Sequence, residues 1–466
     1  MTNKNKTLLV NLGFEKFYEE TNIKGVAPTA PPLSLACLAG SLVRGGFQVK
    51  VFDFNIYEDA DFVKVVEEFA PDYVGVTFVT PLIQEANRVA QLAKSVNPDV
   101  VVMAGGPHAS SFPESTLQET VFDLVAIGEG DFTICEILEG KDCSEIQGIA
   151  YKDNGAIQVN PRKPFIKDLD VLAPPNYDVF ELDKYQISPA IARGNPVAWV
   201  ETSRGCVYDC VFCNKNCFGK TFRTKSPERV VQDFQSVIDQ GFKEIYLADD
   251  GFTTNMTRAK KVCDLLIENN IKIDWCTLNG IRADRVDLEL LKKMKQAGCY
   301  RIYLGVESGN QGVLDRIKKG TKLEYLENAV AWGKQAGLEV VGYFMLGLPG
   351  DTEETMQQTI DFAKKLDLDL AKASVTIPLP ATEMFNDLDA EKLIKTYDWT
   401  KYKFHSVPSS IYDHQTLPWP VIEKYYKRFY RQVYLRPSVI IKKLAKSLKN
   451  KTLFSDVKLA LSIKWF

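Results

Sequence analysis

Short apolar strands alternate with helical stretches twice along this chain, and this alternation limits its fold more than any other feature. Between residues 1 and 140, one helix with apolar residues on a single face is predicted over 33–44. The strands are apolar on successive residues, which predicts a parallel sheet covered by helices on both faces. The five predicted strands of this first region span 7–12, 49–52, 73–77, 100–104 and 124–127.

Glycine and small polar residues follow each of these strands. A parallel sheet of this kind binds ligands at the carboxyl ends of its strands, and glycine there lets the backbone approach a bulky molecule closely. No G-x-G-x-x-G sequence follows the first strand, which argues against a dinucleotide. The candidate ligand contacts at these ends are Gly13, Asp53, Asn55, Thr77, Thr80, Gly105, Gly106, His108, Gly128 and Glu129.

A second alternation begins at residue 196, ends by residue 385 and contains six strand–helix units. Repeated units of this kind curl into a full or partial barrel, and the chemistry of such folds gathers at the carboxyl ends of the strands. The predicted strands of this second region span 196–200, 244–250, 274–279, 301–307, 340–347 and 373–378.

Two further segments complete the predicted organisation. Residues 141–195 are expected to connect the two regions. They contain a hairpin over 148–159, because the Asp-Asn-Gly sequence at 153–155 is a strong turn signal, and a rigid proline-rich linker at 172–177. Residues 386–466 lack the strand–helix repeat and are predicted to form a helical region.

Three cysteines after the first strand of the second region follow the pattern C-x3-C-x2-C, at Cys206, Cys210 and Cys213. Thiolates at this spacing can bind three irons of a [4Fe–4S] cluster and leave the fourth iron open. Zinc also takes thiolates, but a zinc site would want a second cysteine or histidine pair at a matching spacing, and none of the three histidines supplies one. Cys217 could complete a set of four, and we interpret it as a bystander.

Composition and charge exclude other classes of protein. A net charge of −3 over 466 residues gives no general signal for nucleic-acid binding. Ten cysteines without a secretory signal indicate a reducing interior, where thiols serve metals. No apolar stretch is long enough to span a bilayer. We therefore expect a cytoplasmic protein of about three domains.

The cysteine loop, with Phe212 before its last cysteine, resembles that of the radical S-adenosylmethionine enzymes. The first region resembles the cobalamin-binding domain that precedes the radical domain in one large subgroup, through the pieces at 31–35, 105–109 and 127–130. That subgroup includes methyltransferases, the anaerobic magnesium-protoporphyrin ester cyclase and hopanoid-modifying enzymes. The resemblance covers nearly the whole chain. It implies an α/β fold with a Rossmann-like (flavodoxin-like) cobalamin-binding domain, a partial (β/α)6 TIM barrel and a helical C-terminal region.

The resemblance implies three cofactors, namely a [4Fe–4S] cluster, S-adenosylmethionine and cobalamin. The Asp-x-His-x-x-Gly triplet is absent, which implies base-off cobalamin with the lower face of the cobalt near residues 77–81. His108 could ligate the cobalt, but a loop cap or a contact with the nucleotide tail is the role we expect.

By the same resemblance, polar residues at strand ends of the second region contact S-adenosylmethionine. Glu307, Tyr303 and Tyr343 are the candidate catalytic residues, the tyrosines either as a proton or radical relay or as lining aromatics. Each polar position among them, Glu307 included, would also suit a salt bridge at the barrel rim or a helix cap, and Gly347 could simply be a turn residue. The expected contacts are Asp249 and Asp250 with the amino group, Arg282 with the carboxylate, Glu307 and Ser308 with the ribose or sulfonium, and Gly347 with the adenine.

The activity implied is methylation of an unreactive carbon. A 5′-deoxyadenosyl radical would abstract hydrogen from the substrate, and methylcobalamin would then supply the methyl group. A radical cyclase, oxidase or rearrangement enzyme that uses cobalamin without net methylation is the alternative, and a non-catalytic cobalamin or iron–sulfur sensor is a more remote one. A flavodoxin or ferredoxin would supply single electrons, and the substrate would be a small or lipid-like molecule.

The C-terminal region carries two further predictions. The segment 399–420, with Trp399, His405, His414 and Trp419, is predicted to cover the mouth of the site. The tail after it alternates lysine with apolar residues, as membrane-surface helices do. A terminal helix packed on the protein is the other interpretation of this tail. The residues concerned are Ile440, Ile441, Lys442, Lys443, Leu444, Lys446, Leu448, Lys449 and Lys451.

Overall fold

The computed structural model describes residues 5–13, 29–189, 191–403 and 407–449, together with Phe454. His405, Lys451 and the side chains of Lys442, Lys443, Lys446 and Lys449 lie outside the described part. None of the helices within these ranges is long and apolar enough to cross a membrane.

Seven strands form the first sheet, namely β1 (Lys6–Asn11), β2 (Gln48–Asp53), β3 (Tyr73–Thr77), β4 (Val101–Gly105), β5 (Leu124–Ala126), β6 (Ile149–Asp153) and β7 (Ala156–Val159). Their order is β2-β1-β3-β4-β5-β6-β7. Strands β1 to β5 pair in parallel, as their continuous apolar sequences predict. Their carboxyl ends therefore lie along one edge of the sheet.

Helices cover this sheet on both faces. The first of them buries Leu35, Ala36, Ala39 and Leu42, an apolar stripe at helical spacing. The helices are α1 (Leu33–Arg44), α2 (Asp59–Phe69), α3 (Ile83–Val96), α4 (Pro107–Ser111), α5 (Pro113–Glu119) and α6 (Gly130–Leu138).

The hairpin predicted over 148–159 forms, but it belongs to the first sheet and is not a separate connection. Strand β6 pairs antiparallel with β5, and β7 pairs with β6. Asn154 and Gly155 both have positive φ, 48° and 83°, as a two-residue hairpin turn requires. The hairpin covers the edge of β5, whose backbone groups would otherwise lack partners.

Eight further strands are β8 (Val197–Val200), β9 (Ser203–Arg204), β10 (Arg223–Thr224), β11 (Glu244–Leu247), β12 (Asp274–Ile281), β13 (Cys299–Glu307), β14 (Glu339–Leu346) and β15 (Leu370–Val375). Six of them form a second sheet in the order β15-β14-β13-β12-β11-β8, parallel throughout. Strands β9 and β10 form a separate antiparallel pair. The helices of this part are α7 (Pro227–Asp239), α8 (Met256–Glu268), α9 (Leu288–Gln296), α10 (Gln311–Arg316), α11 (Leu323–Gln335), α12 (Glu353–Lys365), α13 (Glu383–Ala390), α14 (Trp419–Tyr434) and α15 (Pro437–Lys449).

The two faces of the second sheet differ in what covers them. One face packs on the helices and belongs to the large core of the protein. The other face carries a separate cluster that includes Tyr246, Cys276, Tyr303 and Val341, and we call it the inner face. Residues alternate between the two faces along each strand.

The outer edge of β15 is capped by side chains of α14. The Tyr434 hydroxyl accepts a hydrogen bond from the Ala371 amide at 2.9 Å and donates one to the Ala371 carbonyl at 2.6 Å. The Tyr430 hydroxyl does the same at Ala373, at 3.1 and 2.9 Å. Two tyrosines one helical turn apart therefore provide hydrogen-bond partners for the backbone groups of β15 that a further strand would otherwise pair with.

Helix α1 joins the two sheets into one core. Its Leu35 belongs to the same apolar cluster as Tyr177 and as Val200 of β8. A Cβ at Gly40 would lie 2.1 Å from the Pro174 carbonyl oxygen, so the proline-rich linker contacts the helix backbone at glycine. The core is thus continuous between the two sheets.

Candidate functional site

The three cysteines lie in the loop that follows β9, at the carboxyl end of β8. Gly205 begins this loop with φ +80°, and a Cβ there would lie 2.1 Å from the Thr221 carbonyl oxygen. Only glycine fits this backbone. The Cys206 amide donates to the Gly219 carbonyl at 3.5 Å. The turn and this bond set the path of the loop at its first cysteine.

The thiols face a concave part of the surface. Cys213 is exposed, yet burial and the neighbouring Cys210 thiol raise the pKa of its thiol to about 11. A group that is accessible and also surrounded by protein atoms faces a cavity and not open solvent. Burial also raises the pKa of the Cys210 thiol, while the charges of Lys319 and Arg282 act to lower it. The cavity therefore combines thiols with cations.

The donor set fits an iron–sulfur cluster. Within the described ranges, no three His, Cys, Asp or Glu side chains converge closely enough to hold a single ion. A [4Fe–4S] cluster binds each thiolate through a different iron and does not need that convergence. The Cys217 thiol instead has Ser110 as its hydrogen-bond partner, with Arg162 nearby. These neighbours support its interpretation as a bystander.

An ion pair beside the cysteines joins Glu307 at the end of β13 to Lys319. The Lys319 Nζ lies 2.7 Å from the Glu307 Oε1, and both side chains are largely buried. Glu307 has φ +59°, a left-handed conformation that costs a non-glycine residue about 1–2 kcal/mol. Such strain is typical of functional sites. The sequence pattern identified Glu307 but missed Lys319, which lies in a turn without a motif.

Arg282 holds the cysteine loop from one side. Its guanidinium carbon lies 3.4 Å from the centre of the Tyr208 ring, and Tyr208 is part of the loop. The guanidinium also donates to the Asp284 carboxylate and to the Gly320 carbonyl, both at 2.9 Å. These contacts keep one positive charge close to the thiols.

The two aspartates after β11 have different environments. The buried Asp249 carboxylate accepts hydrogen bonds from the Thr202 amide and hydroxyl and from the Ser203 hydroxyl. It therefore fixes the chain between β8 and the cysteine loop. Asp250 is exposed, yet burial raises the pKa of its carboxyl, and the Gly205 amide donates to it. Asp250 thus faces the same cavity as Cys213.

Ser308 and Gly347 have contacts inside the protein. The buried Ser308 hydroxyl lies 3.2 Å from the Thr359 hydroxyl and accepts from the Asn310 amide at 3.1 Å. Gly347 has φ +71°, and a Cβ there would lie 3.2 Å from Ile422 of α14. The contacts expected between these residues and S-adenosylmethionine stay predictions.

Tyr303 and Tyr343 stack on the inner face with ring centres 5.4 Å apart. The Tyr343 hydroxyl donates to the Leu278 carbonyl at 3.1 Å, and Arg301 donates to the Tyr303 hydroxyl at 3.4 Å. Burial raises the pKa of Tyr303 to about 12, so its phenol keeps its proton at neutral pH. The pair forms an aromatic lining, and its role as a relay stays a prediction.

Arg204 of β9, directly before the glycine of the cysteine loop, is joined by buried ion pairs to Glu129 and Asp131 at the start of α6. Its guanidinium lies 2.7 Å from Glu201, 2.8 Å from Asp131 and 2.9 Å from Glu129. Glu129 also lies 2.8 Å from Arg223. We call these five residues the ionic clamp. The Glu129 carboxylate, a predicted cobalamin contact, is thus bound within the protein.

At the carboxyl edge of the first sheet, Asp53 is also bound within the protein. The buried Asp53 carboxylate accepts from the Asn11 side chain at 3.0 Å, from the Asn55 amide at 2.8 Å and from the Tyr185 hydroxyl at 3.0 Å. A Cβ added at Gly105, by contrast, would meet no atom within 4 Å. The backbone there is open, which suits the close approach of a bulky ligand. The other predicted contacts on this edge are Gly13, Thr77, Gly106 and Gly128.

His108 is buried beside this edge. Its Nδ1 lies 3.2 Å from the Thr80 hydroxyl, a contact between α4 and the turn after β3. Burial lowers the pKa of its imidazole to about 4, so the ring is neutral. Trp399 covers it, with ring centres 6.1 Å apart, and stacks on Phe112 at 5.5 Å. A residue of the C-terminal region therefore lies against the first sheet.

Comparison with known proteins gives two family matches, to the radical SAM superfamily over residues 200–363 and to the B12 binding domain over 21–138. An uncharacterised methyltransferase of Pyrococcus horikoshii is 37% identical over 90% of this chain and 90% of that protein. The anaerobic magnesium-protoporphyrin IX monomethyl ester cyclase of Rubrivivax gelatinosus is 30% identical over 81% of this chain and 70% of its own length.

A solved structure shares the fold. The cobalamin-dependent S-adenosylmethionine radical enzyme OxsB with aqua-cobalamin bound aligns with a TM-score of 0.74 over 98% of this chain and 72% of that chain, at 20% identity. The α/β fold with its two cofactor domains is thereby confirmed. Both domain matches and the extended similarity to the Pyrococcus protein show that this chain is a methyltransferase-like enzyme of the cobalamin-binding radical S-adenosylmethionine family, with a [4Fe–4S] cluster, S-adenosylmethionine and cobalamin as its cofactors.

Proposed function

We propose that this enzyme transfers a methyl group to an unactivated carbon of a small-molecule substrate. The observation that carries the proposal is the cysteine loop, whose three thiols share a cavity with Asp250 and two cations at the carboxyl edge of the second sheet. The similarity to the Pyrococcus methyltransferase supports methyl transfer as the reaction. When bound, the cluster supplies the electron that splits S-adenosylmethionine, and cobalamin supplies the methyl group.

The residues of the cavity divide the binding of S-adenosylmethionine among them. Cys206, Cys210 and Cys213 would hold the cluster. Asp250 is free to accept hydrogen bonds from the amino group of the cofactor, and we assign Asp249 to holding the loop, since its carboxylate already accepts three hydrogen bonds. Arg282 and Lys319 lie near Cys210 and suit the carboxylate group. Glu307 would orient Lys319 through their ion pair.

The second sheet has a proposed role that matches this function. We propose that the six parallel strands and their helices form the open (β/α)6 barrel and that the inner face is its lumen, where the substrate lies. The proposed division of the chain is 1–140, 141–195, 196–385 and 386–466, the last as the helical C-terminal region. The hairpin of the second segment extends the first sheet.

Two further proposals concern partners. A flavodoxin or ferredoxin would reduce the cluster, whose cysteine Cys213 is exposed. Contact of α15 with a membrane, and a lipid-like substrate, are supported by its exposed apolar side chains, which are Ile440, Ile441, Leu444 and Leu448.

Radical cyclisation without net methylation is the second candidate, favoured by the similarity to the Rubrivivax cyclase. Product ratios separate the two reactions. We would reconstitute the protein anaerobically with iron, sulfide and hydroxocobalamin, add S-adenosylmethionine, a reductant and a metabolite extract from the source cells, and quantify both nucleoside products. Methyl transfer predicts 5′-deoxyadenosine and S-adenosylhomocysteine in equal amounts. Cyclisation predicts 5′-deoxyadenosine without stoichiometric S-adenosylhomocysteine.

A pair of cysteine variants tests the cluster assignment. Cys210→Ala removes one thiolate, so we expect loss of the cluster absorbance and a fall in 5′-deoxyadenosine of at least about 10⁴-fold, the scale of loss that follows removal of one essential group. Cys217→Ala is the control, because its thiol has Ser110 and Arg162 as neighbours. It should keep both the cluster and the product. Equal losses in the two variants would contradict the three-cysteine assignment.

A further inference from the structure

Lys372 of β15 lies on the inner face of the second sheet. Its neighbours Ala371 and Ala373 are buried in the large core on the opposite face, and side chains alternate along a strand. Directly opposite Lys372 on β14 is Tyr343, which packs on the inner-face cluster. Strand register therefore places the lysine beside the stacked tyrosine pair.

The Lys372 ammonium has no partner within the described part of the chain, neither a carboxylate nor a hydrogen-bond acceptor. The charge that acts on it is that of Arg301, which has the same sign. Arg301 is itself paired with Glu339 at 2.8 Å, so that carboxylate is already committed. Among the described residues, Lys372 is thus a cation without a counter-ion.

Lys372 lies in a concave part of the inner face that is open to solvent. Its side chain is exposed, yet burial and the charge of Arg301 lower the pKa of its ammonium. A charge that is partly removed from water and has no counter-ion destabilises the folded protein. Binding sites often contain such a charge, because the bound ligand supplies the opposite one. Tyr343 lies beside Lys372 in the strand register, and the same inner face carries Trp199 and Leu278, which are partly buried and largely apolar.

We propose that Lys372 binds an acidic group of the substrate, a carboxylate, phosphate or phosphonate, while an aromatic or apolar body lies on Trp199, Leu278 and Tyr343. This inference rests on the proposed function, because it takes the inner face as the place where the substrate lies. It narrows the substrate to amphiphilic anions. Lys372 is then a residue that determines specificity.

Competitive amine labelling of the reconstituted full-length protein tests this inference. Acetic anhydride is applied in trace amounts, and the acetylation rate of each lysine is read by mass spectrometry. The probes are benzoate and phenyl phosphate, with benzyl alcohol and phenol as their neutral counterparts. At ten times its Kd, the matching anion should slow acetylation of Lys372 about tenfold. Lys261, exposed on α8, is the control and should keep its rate.

The two anions distinguish a carboxylate substrate from a phosphorylated one. If neither anion protects Lys372, or if the neutral compounds protect it equally, the inference is overturned. Calorimetry then compares variants, and we expect K372Q to weaken binding of the protective anion at least about tenfold, while K261Q binds as the wild type does. Unchanged binding by K372Q would also overturn it.

The thermal midpoint of K372Q shows whether weaker anion binding by this variant comes from misfolding. Removal of an uncompensated enclosed charge should raise the thermal midpoint, whereas a lysine with a structural role would lower it. Cleavage of S-adenosylmethionine by the wild type is measured separately. If cleavage fails while anions still protect Lys372, the proposed function fails and the anion site stands. If cleavage succeeds without protection, only the anion site fails.

Discussion

His108 gives the stability of this protein a dependence on pH. Burial lowers the pKa of its imidazole to about 4 from an ordinary value of 6.5. Between these values the unfolded chain binds the proton and the folded chain does not, so stability falls as the pH falls through this window. At pH 5 the loss is about 2 kcal/mol relative to pH 7.5.

We expect a change from pH 7.5 to pH 5 to lower the thermal midpoint of the wild type more than that of His108→Gln. The additional decrease should correspond to about 2 kcal/mol of unfolding free energy. Glutamine has no charge to gain in this range, so other titrating groups cancel in the comparison. A difference that stays constant with pH would show that the imidazole titrates normally, and hence that it is not enclosed by Phe112 and Trp399.

Residue types and spacing predicted the cluster cysteines because the pattern is local and its chemistry is specific. That reasoning could not predict contacts between residues that are far apart in the chain. Glu129 and Arg204 are 75 positions apart, and nothing near either residue predicts their contact. Lys319 and Lys372 likewise became candidates only when the fold placed one beside Glu307 and gave the other no counter-ion among the described residues.

At the scale of elements, the capped edge of β15 can be tested directly. Tyr434→Phe removes the hydroxyl that satisfies both backbone groups of Ala371. An unsatisfied buried backbone group costs about 1–3 kcal/mol. We expect amide hydrogen exchange in residues 368–376 to accelerate accordingly, and further when Tyr430→Phe is added. Tyr325→Phe, on an exposed tyrosine of α11, is the control and should leave exchange unchanged.

Continuous apolar strands identified the parallel strands of both sheets within three residues at each end, since burial on both faces leaves little choice of residue type. The elements that cover the edges of the two sheets were less predictable. The hairpin of β6 and β7 has a clear turn sequence, but its attachment to β5 depends on which edge was open. The tyrosine caps lie 57 and 63 positions from the alanines they bind, beyond any local pattern.

At the scale of the whole molecule, the ionic clamp should set the strength of the domain junction. Glu129→Gln removes the carboxylate that Arg204 and Arg223 share, and breaking a buried ion pair costs about 3–5 kcal/mol. We expect a large fall in the denaturation midpoint of the apo protein and faster proteolysis between the sheets. Glu136→Gln is the control, because its pairs with Lys141 and Lys163 are more exposed and worth at most about 1 kcal/mol.

The shared position of helix α1 has a consequence for how the protein unfolds. Its apolar face belongs to the first sheet and also to the core that contains Tyr177 and Val200. Separation of the two parts would expose that face to water, although the opposite face of the first sheet keeps an apolar cluster of its own. We therefore expect the unfolding of the two cofactor regions to be coupled through α1. A protease or a heat pulse would find one transition in this enzyme, where two domains joined by a free linker would show two.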